Sequence, residues 1–378
     1  MKNTIGTNIE LTIFGESHGG AIGAILDGLP AGFEIDMDRL NADMDKRKAK
    51  GALSTKRHEP DKVHFLSGFF EGKTTGTPIC LLIENTNTRS QDYAQLKNRL
   101  RPGHADFSAF EKYHGFQDYR GGGHFSGRLT APVVAAGSIC RQILEAKGVF
   151  IGTHIARLQD IEDVPFATER DTILEQIQYL NSQDFPALDE SKGQEMKNRI
   201  GAAMMDLDSV GGILQTNVVG YPAGVGEPFF DSIESVLSHL LFSIPAIKGV
   251  SFGEGFGFAD LYGSQANDPL HSDGQSIVTT TNRNGGINGG ISNGMPIVFQ
   301  CVVKPTASIY KKQNSVDYST KENVELEIKG RHDPAIIHRA RAVVDAMSAF
   351  GLLDLWMSHE AVEAFEEHPY RQEDSACR

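Results

Sequence analysis

The pattern of apolar and polar positions predicts a mixed fold of strands and helices. Short apolar or alternating runs that end at glycine or proline predict strands, and they cover residues 9–14, 21–26, 78–84, 213–219 and 297–303. Apolar residues at helical spacing predict helices, and these cover residues 36–47, 128–147, 230–242 and 334–353. In the helix over 128–147, Thr130 is a candidate cap, Pro132 lies in the first turn and Gly148 follows the end.

No linker or low-complexity tract divides the chain. Its 378 residues suffice for one large domain or two small ones. Residues 159–200 are acidic and are predicted to form peripheral helices and connections. Residues 46–62 lack periodicity and are predicted to form a loop.

Composition and charge narrow the class of protein. Hydrophobic residues make up 40% and charged residues 22% of the chain, which is typical of a globular protein. The formal charge of -13 argues against nucleic acid as a partner, because binding a phosphate backbone needs a basic surface. A small anionic ligand is compatible with this charge, since a local basic pocket can lie in an acidic protein.

Neither a metal site nor a membrane segment is indicated. The cysteines are far apart and no pair has CxxC spacing, so we expect reduced thiols and no zinc site. The first residues (MKNT) lead into a mixed polar segment, and no apolar run has the length of a signal core or a membrane span. We therefore expect a cytoplasmic protein without a membrane partner.

The segment GESHGG (15–20) follows the first predicted strand and carries His18. A histidine between flexible residues at a strand end can face a cleft and donate a proton near neutral pH. The neighbouring Ser17 does not indicate a catalytic triad, because adjacent side chains on extended backbone point apart. On its own, this motif favours a structural or solvent-exposed histidine over a catalytic one.

The predicted loop over residues 46–62 is rich in basic residues, and Glu59 and Asp61 are its two acidic residues. A solvated surface loop and a mobile anion clamp explain the cluster equally well. The basic residues are Lys46, Arg47, Lys48, Lys50, Lys56, Arg57 and Lys62.

Two further segments present histidines next to glycine turns. Residues 101–106 (RPGHAD) place His104 after a Pro-Gly pair, and residues 120–128 (RGGGHFSGR) place three glycines just before a helix. Glycine-rich turns and helix N-termini favour phosphate, although a tight turn is the simpler explanation for any single cluster. The segment is neither a Walker A loop nor a Rossmann fingerprint.

The C-terminal third adds a glycine-rich segment (282–294), a KPTAS loop (304–308) and GRHDP (330–334) before the last helix. Arg331 can hold a carboxylate or phosphate through two hydrogen bonds. Asp333 fits a helix cap, and capping does not exclude a second role. Together, these histidines, arginines and glycine turns indicate an enzyme for a small polyanion that includes a phosphate. The reaction does not follow from their spacing.

In this order, the segments resemble the chorismate synthase family. They span nearly the whole chain, and the ordered set is highly specific although each piece alone is weak. The matching segments are GESHG (15–19), SGFFEGKTTGTPI (67–79), RPGHADF (101–107), DYRGGG (118–123), VAAGS (134–138), DSVGG (208–212), GVGEPFFD (224–231), SIPAIKGV (243–250), TNRNGGINGGISNGMPI (281–297), KPTASI (304–309) and GRHDP (330–334).

The resemblance implies an α+β fold, a β-α-β sandwich with a helical core between sheets. It implies a single domain over 1–378, with 159–200 as a peripheral insertion, and a homotetramer. The implied reaction is the anti-1,4-elimination of phosphate from 5-enolpyruvylshikimate 3-phosphate to give chorismate, the last step of the shikimate pathway. The implied cofactor is reduced FMN, used without net redox change, with NADPH as a candidate reductant.

By motif position, the resemblance makes His18, His104 and Asp333 catalytic. His18 is expected to act near the leaving phosphate, His104 to protonate or hydrogen-bond the reduced flavin, and Asp333 to assist deprotonation. The expected substrate-binding residues are Ser17, Arg47, Arg128 and Arg331. The expected flavin-binding residues are His124, Phe125, Ser126, Ala246, Gly289, Lys304, Pro305, Thr306, Ala307, Ser308 and Arg331.

The sequence departs from the family pattern near Ala52 and at His114, His124, Phe125 and Ala335. His124 replaces an arginine, and a histidine attracts an anion only when it is protonated. These departures motivate a second hypothesis, a non-catalytic relative that binds flavin or a related anion. A third and weaker hypothesis is an unrelated phosphate-handling enzyme such as a kinase, because no nucleotide-binding loop is recognisable in the sequence.

Overall fold

Two antiparallel sheets enclose a layer of helices in the computed structural model, which describes residues 2–51, 53–54, 60–86, 97–272, 274, 276–328 and 332–366. The strands are β1 (Thr4–Ile5), β2 (Glu10–Gly15), β3 (Ala21–Asp27), β4 (His64–Ser67), β5 (Phe69–Phe70), β6 (Lys73–Thr74), β7 (Ile79–Glu84), β8 (Phe150–Leu158), β9 (Ile161–Glu162), β10 (Gly212–Val219), β11 (Ile247–Phe252), β12 (Leu270–Ser272), β13 (Ile277–Thr279), β14 (Ile287–Asn288), β15 (Ile291–Ser292), β16 (Ile297–Val303), β17 (Gln313–Val316) and β18 (Asn323–Leu326). The helices are α1 (Met37–Arg47), α2 (Asp106–Tyr113), α3 (Thr130–Ala146), α4 (Arg170–Ser182), α5 (Glu190–Met205), α6 (Ile233–Ser243), α7 (Gly263–Ala266) and α8 (Ile337–Glu366).

Each large sheet presents one apolar face to the helices. The first has the order β1-β2-β3-β7-β4 and the second β11-β16-β10-β8-β9. Ile79, Leu81 and Ile83 are buried on β7 while the residues between them are half-buried. Phe299 and Cys301 repeat this period of two on β16. The alternation that predicted strands therefore also defines the inner face of each sheet.

The layer between the sheets is formed mainly by α3 and α8. Helix α3 packs against β3 and β7, α8 packs against β8 and β10, and the two helices pack on each other. Residues 131–144 of α3 are all buried, as expected for a helix enclosed on every side. The sandwich with a helical core expected from the family resemblance is confirmed.

Helix α4 covers the outside of the second sheet. Successive residues of a strand point to opposite faces. On β8, Thr153 bonds Asp345 of α8 at 2.5 Å, whereas a Cβ on Gly152 would meet the side chain of Ile177 on α4 at 2.8 Å. Helix α4 therefore packs on the outer face of this sheet through Ile177. The end of α4 reaches α8, where Arg341 donates to the carbonyl of Leu180 at 2.7 Å. No helix in the described part of the chain is long and apolar enough to cross a membrane.

The predicted strands are confirmed, and three helix starts need correction. Helix α6 begins at Ile233 and not at 230, because a 3₁₀ turn precedes it and Ser232 caps it. Thr130 is the first residue of α3 and not its cap, because a short 3₁₀ turn capped by Ser126 leads directly into the helix. The last helix begins at Ile337 and not at 334. The carbonyl of Pro334 accepts a hydrogen bond from Val210 N at 2.9 Å, so this segment pairs with the chain entering β10. Asp333 is therefore not the cap of α8.

We expect Gly137→Ala to destabilise the protein by roughly 1–3 kcal/mol, the usual loss on overpacking. A Cβ at Gly137 in α3 would lie 2.4 Å from the Cβ of Ala346 and 2.6 Å from its Cα, so the helix backbones must separate. Gly351→Ala is the matched control, because its nearest contact is the flexible tip of Leu240 at 2.4 Å. Urea unfolding measures both, and equal free energies of unfolding for the two variants would contradict the prediction.

Acidification should cost stability through His338 of α8. Burial lowers the pKa of His338 to about 4, with the charges of Arg339 and Arg341 adding to the effect. The unfolded chain then binds more protons below pH about 6.5, so stability falls by on the order of 3 kcal/mol as the pH drops from 6.5 towards 4. His338→Gln should lose less Tm than the wild type between pH 7 and pH 5. An equal loss of Tm between pH 7 and pH 5 in the variant and in the wild type would refute this prediction.

Candidate functional site

The turn after β2 carries Ser17 and His18, both buried. Ser17 Oγ lies 3.1 Å from His18 Nδ1 and donates to the Arg120 carbonyl at 3.2 Å. The expectation that these two side chains point apart is wrong, because residues 16–19 form a turn and not an extended strand. Since the hydroxyl proton is used on Arg120, Oγ accepts from Nδ1–H. Nε2 of His18 is then the nitrogen that can exchange a proton with a ligand.

Consecutive glycines bring His18 and His104 to one turn. A Cβ on Gly121 would lie 2.1 Å from His18 Cε1, and a Cβ on Gly122 would lie 3.4 Å from His104 Nε2. Both glycines have positive φ, +64° and +116°, which favours glycine. Ser17 N also donates to the carbonyl of Gly123 at 3.2 Å. The two histidines predicted from separate motifs therefore lie on either side of the same glycine turn.

His104 is oriented by Asp106 and Arg101. Its Nδ1 lies 2.8 Å from Asp106 Oδ1, and Arg101 binds both oxygens of that carboxylate at 2.7 and 2.8 Å. Burial alone would raise the pKa of Asp106, but hydrogen bonds from Arg101 and His104 outweigh it and hold that pKa well below its usual range. The ionised carboxylate fixes the proton on Nδ1, so Nε2 is directed towards the glycine turn.

Two predicted substrate-binding arginines share one buried carboxylate. Arg47 Nη1 lies 3.0 Å from Asp61 Oδ2, and Arg128 Nη1 bonds Asp61 Oδ1. Arg47 Nε also donates to Thr130 at 3.0 Å, and Arg128 Nε donates to Asn85 Oδ1 at 3.1 Å. Two guanidinium groups therefore meet at one carboxylate, and guanidinium groups suit an anionic ligand.

Part of the basic loop is not a loop. Lys46 lies in the last turn of α1, where its ammonium bonds Asp43 at 2.8 Å in the protein interior. Lys50 pairs with Asp184 at 2.8 Å. Ala52, Lys56 and Arg57 lie outside the described residues.

Asp333 is connected to the arginine cluster through Arg339. Arg339 Nη1 bonds Asp333 Oδ2 at 2.8 Å, and its Nε donates to the carbonyl of Arg47 at 2.7 Å. The neighbouring His332 packs against the ring of Tyr310, with centroids 4.9 Å apart. Arg331, expected in both the substrate and flavin sites, lies outside the described residues.

The KPTAS loop lies beside the His104 turn. Lys304 Nζ donates to the carbonyl of Gly103 at 2.6 Å, and Lys304 N donates to the carbonyl of Ala246 at 3.0 Å. A Cβ on Gly103 would contact Ala307 at 3.4 Å. Thr306 Oγ1 is buried and has no hydrogen-bond partner among the described residues. Pro305 and Ser308 belong to this same loop.

The segment 124–126 borders a largely apolar cavity of about 230 Å³. His124 and Ser126 line it, together with residues 243–245 that precede Ala246. His124 also anchors the end of β2, since its Nδ1 lies 2.9 Å from the Gly15 carbonyl. Phe125 lies outside this lining and packs against Tyr113, with ring centroids 6.1 Å apart.

Among the described residues, no hydrogen bond joins Gly289 to another predicted flavin residue. Gly289 lies in the turn between β14 and β15, where Ile233 N donates to the carbonyl of Gly290 at 3.0 Å. The longer-range hydrogen bonds of this hairpin among the described residues lead to the segment 222–233 and not to the KPTAS loop.

Several residues of the site escaped the sequence analysis. Asn85 and Arg339 carry no local signal, and Asp61 was counted only as opposing charge in the basic loop. Arg101 and Asp106 belong to the RPGHAD motif. The sequence shows that an acid follows His104 by two residues, but it does not show that Asp106 binds both His104 and Arg101.

The grouping of histidines and arginines in this fold suits an enzyme that acts on a small polyanion. A family model described as chorismate synthase matches residues 9–357. A chorismate synthase of Dehalococcoides mccartyi is 43% identical over 94% of this chain and 96% of its own length. One from Pyrococcus abyssi is 43% identical over 92% of this chain and 96% of its own.

A solved structure titled "Crystal Structure of Chorismate Synthase" superimposes with a TM-score of 0.74 at 26% identity, covering 96% of this chain and 98% of the other. The chain belongs to the chorismate synthase family. These similarities support the lyase activity expected from the sequence over the alternative of a non-catalytic relative.

Proposed function

We propose that this protein eliminates phosphate from 5-enolpyruvylshikimate 3-phosphate to form chorismate, with His18, His104 and Asp333 as its proton-handling residues. The observation that carries the proposal is the single glycine turn that holds His18 and His104 on its two sides. Arg128 lies just after this turn in the chain, and Arg339 links Asp333 to the same arginine cluster.

The leaving phosphate would lie towards His18 and the arginines. His18 keeps Nδ1–H on Ser17, so protonated Nε2 can donate to a departing phosphate oxygen. Arg47 and Arg128 supply positive charge, and each charge-assisted hydrogen bond contributes roughly 1.5–3 kcal/mol. Several such contacts are needed for a polyanion, which fits a site with two guanidiniums on one shared carboxylate.

The residues present fit reduced FMN. Thr306 Oγ1 is a buried hydroxyl without a partner among the described residues, so it suits a polar ligand atom. Lys304 suits an anionic group, and the cavity beside Ser126 is largely apolar, as a flat aromatic ring requires. Lys304, Thr306, Ser126 and Ala246 would hold the flavin. When bound, it would supply electron density that assists phosphate departure, without net oxidation.

His104 and Asp333 would complete the proton chemistry. Asp106 keeps Nδ1 of His104 protonated, so Nε2 is the atom that gives or holds a proton towards the flavin. The ion pair with Arg339 holds Asp333 close to the arginine cluster, where it would assist removal of the C6 hydrogen. A homotetrameric assembly, a cytoplasmic location and NADPH as reductant are further parts of this proposal, and they follow from the family resemblance.

An anaerobic assay tests the proposal. Wild-type protein with chemically reduced FMN and 5-enolpyruvylshikimate 3-phosphate should form chorismate, and the variant carrying both His18→Ala and His104→Ala should not. A parallel reaction with NADPH and oxidised FMN tests whether the protein reduces its own flavin. Wild-type turnover no higher than that of the double variant would overturn the proposed function.

A further inference from the structure

Asn85 follows β7 and joins the His18 turn to Arg128. Its Nδ2 donates to the carbonyls of Glu16 and Gly19, both at 3.0 Å, while its Oδ1 accepts from Arg128 Nε at 3.1 Å. Its backbone N–H also donates to the carbonyl of Gly20 at 3.1 Å. One amide side chain thus spans the turn that carries a histidine and the guanidinium of an arginine.

The chemistry of this bridge requires an amide. Two carbonyl oxygens need donors on one side and the guanidinium needs an acceptor on the other, and asparagine supplies both from one short planar group. Aspartate keeps the acceptor but loses both donations, and leucine of similar size loses all three bonds. The turn itself is short, with Gly19 N donating to Glu16 O at 3.0 Å, so Asn85 binds both of its ends.

We infer that Asn85 is a positioning residue that fixes His18 relative to Arg128. The inference rests on the proposed function, in which His18 and Arg128 act on the same phosphate. If these two groups meet one leaving group, a change in their separation slows the reaction, and a shift of about 1 Å can lower a rate by roughly 10²-fold. Asn85 itself reaches neither the reacting atoms nor the flavin residues through any contact among the described residues.

The kinetic test compares two substitutions at one position. Asn85→Leu should lower kcat/KM by roughly 10²-fold through both kcat and KM, because both ends of the bridge are lost. Asn85→Asp should lower kcat while KM stays within about threefold of the wild-type value, since the Arg128 contact is kept. Wild-type rates for Asn85→Asp would show that donation to the turn is unimportant and would overturn the inference.

Gln142→Leu is the matched structural control. Gln142 on α3 also bonds backbone at both ends of its amide, accepting from Asp36 N at 2.8 Å and donating to Asp36 O at 3.1 Å. It should lower Tm without the loss in kcat. A fall in kcat/KM for Asn85→Leu no larger than that for Gln142→Leu would assign Asn85 to general stability and overturn the inference.

A spectroscopic readout separates this inference from the proposed function. Imidazole ¹H–¹⁵N NMR spectra of the protein without flavin or substrate, with His18 assigned through His18→Gln, should show shifted His18 signals in Asn85→Leu. The signals of His154 on β8, which pairs with Asp163, should stay unchanged. Unchanged His18 signals would refute the role of Asn85, whereas absent turnover in the wild type would count against the proposed function instead.

Discussion

Gly121→Ala should lower kcat by roughly 10³-fold, the scale expected when a general acid is displaced. The new Cβ would lie 2.1 Å from His18 Cε1, 2.4 Å from His18 Nδ1 and 3.0 Å from Ser17 Oγ. The two distances to the imidazole are far below van der Waals contact, so the imidazole must leave its position. The φ of +64° adds backbone strain for any residue with a side chain.

Gly127→Ala provides the control for this result. Gly127 lies six residues further along the same segment, has no positive φ, and a Cβ there would meet nothing within 4 Å. Steady-state assays with reduced FMN, together with circular dichroism of both variants, separate an effect on the site from an effect on folding. A folded Gly121→Ala variant with more than about a tenth of wild-type kcat would be incompatible with His18 as the acid.

Asp106→Asn should lower kcat by at least about 10²-fold, since an amide in place of an orienting carboxylate presents the histidine in the wrong tautomer. Asp106 accepts from His104 Nδ1 at 2.8 Å and from Arg101 at 2.7 and 2.8 Å. An asparagine removes the charge that both partners need while keeping the volume. The melting temperature should fall as well, because Arg101 is buried and would lose its counter-ion.

Asp118→Asn is a comparison with similar chemistry. Asp118 binds Arg120 through both carboxylate oxygens at 2.8 Å beside the same glycine turn, whereas Asp106 binds His104. The kcat of Asp118→Asn should fall by much less than that of Asp106→Asn, because this half-buried carboxylate binds Arg120 and does not orient His104. Equal losses in the two variants would mean that the turn as a whole, and not the orientation of His104, limits the rate.

The pattern of apolar and polar residues predicted those strands and helices that are determined by residues close together in the sequence. Strands β7 and β16 follow from alternating or apolar runs, and α3 from its helical spacing. The start of α8 did not follow, because the carbonyl of Pro334 is taken by Val210, more than a hundred residues earlier in the chain. Such long-range pairing leaves no trace in the local pattern.

The site shows the same division. Motifs marked His18 and His104 as candidates because histidines beside glycine turns are visible in sequence, and the family resemblance supplied their expected roles. The orientation of His18 towards Ser17 was missed, because it depends on a turn that the strand pattern did not predict. Asn85 and Arg339 were missed because their partners are distant in sequence and their residue types are unremarkable on their own.

The packing of α3 against α8 in the core affects the spacing of residues in the candidate site. Arg128 lies just before α3, and Arg339 lies in the first turn of α8. The distance between these two helices therefore affects the distance between the backbones of Arg128 and Arg339. Gly137 and Ala346 set the distance between the helices. Enlarging either residue without shrinking the other would move the two helices apart and widen the candidate site, so we expect these two positions to vary together among related enzymes.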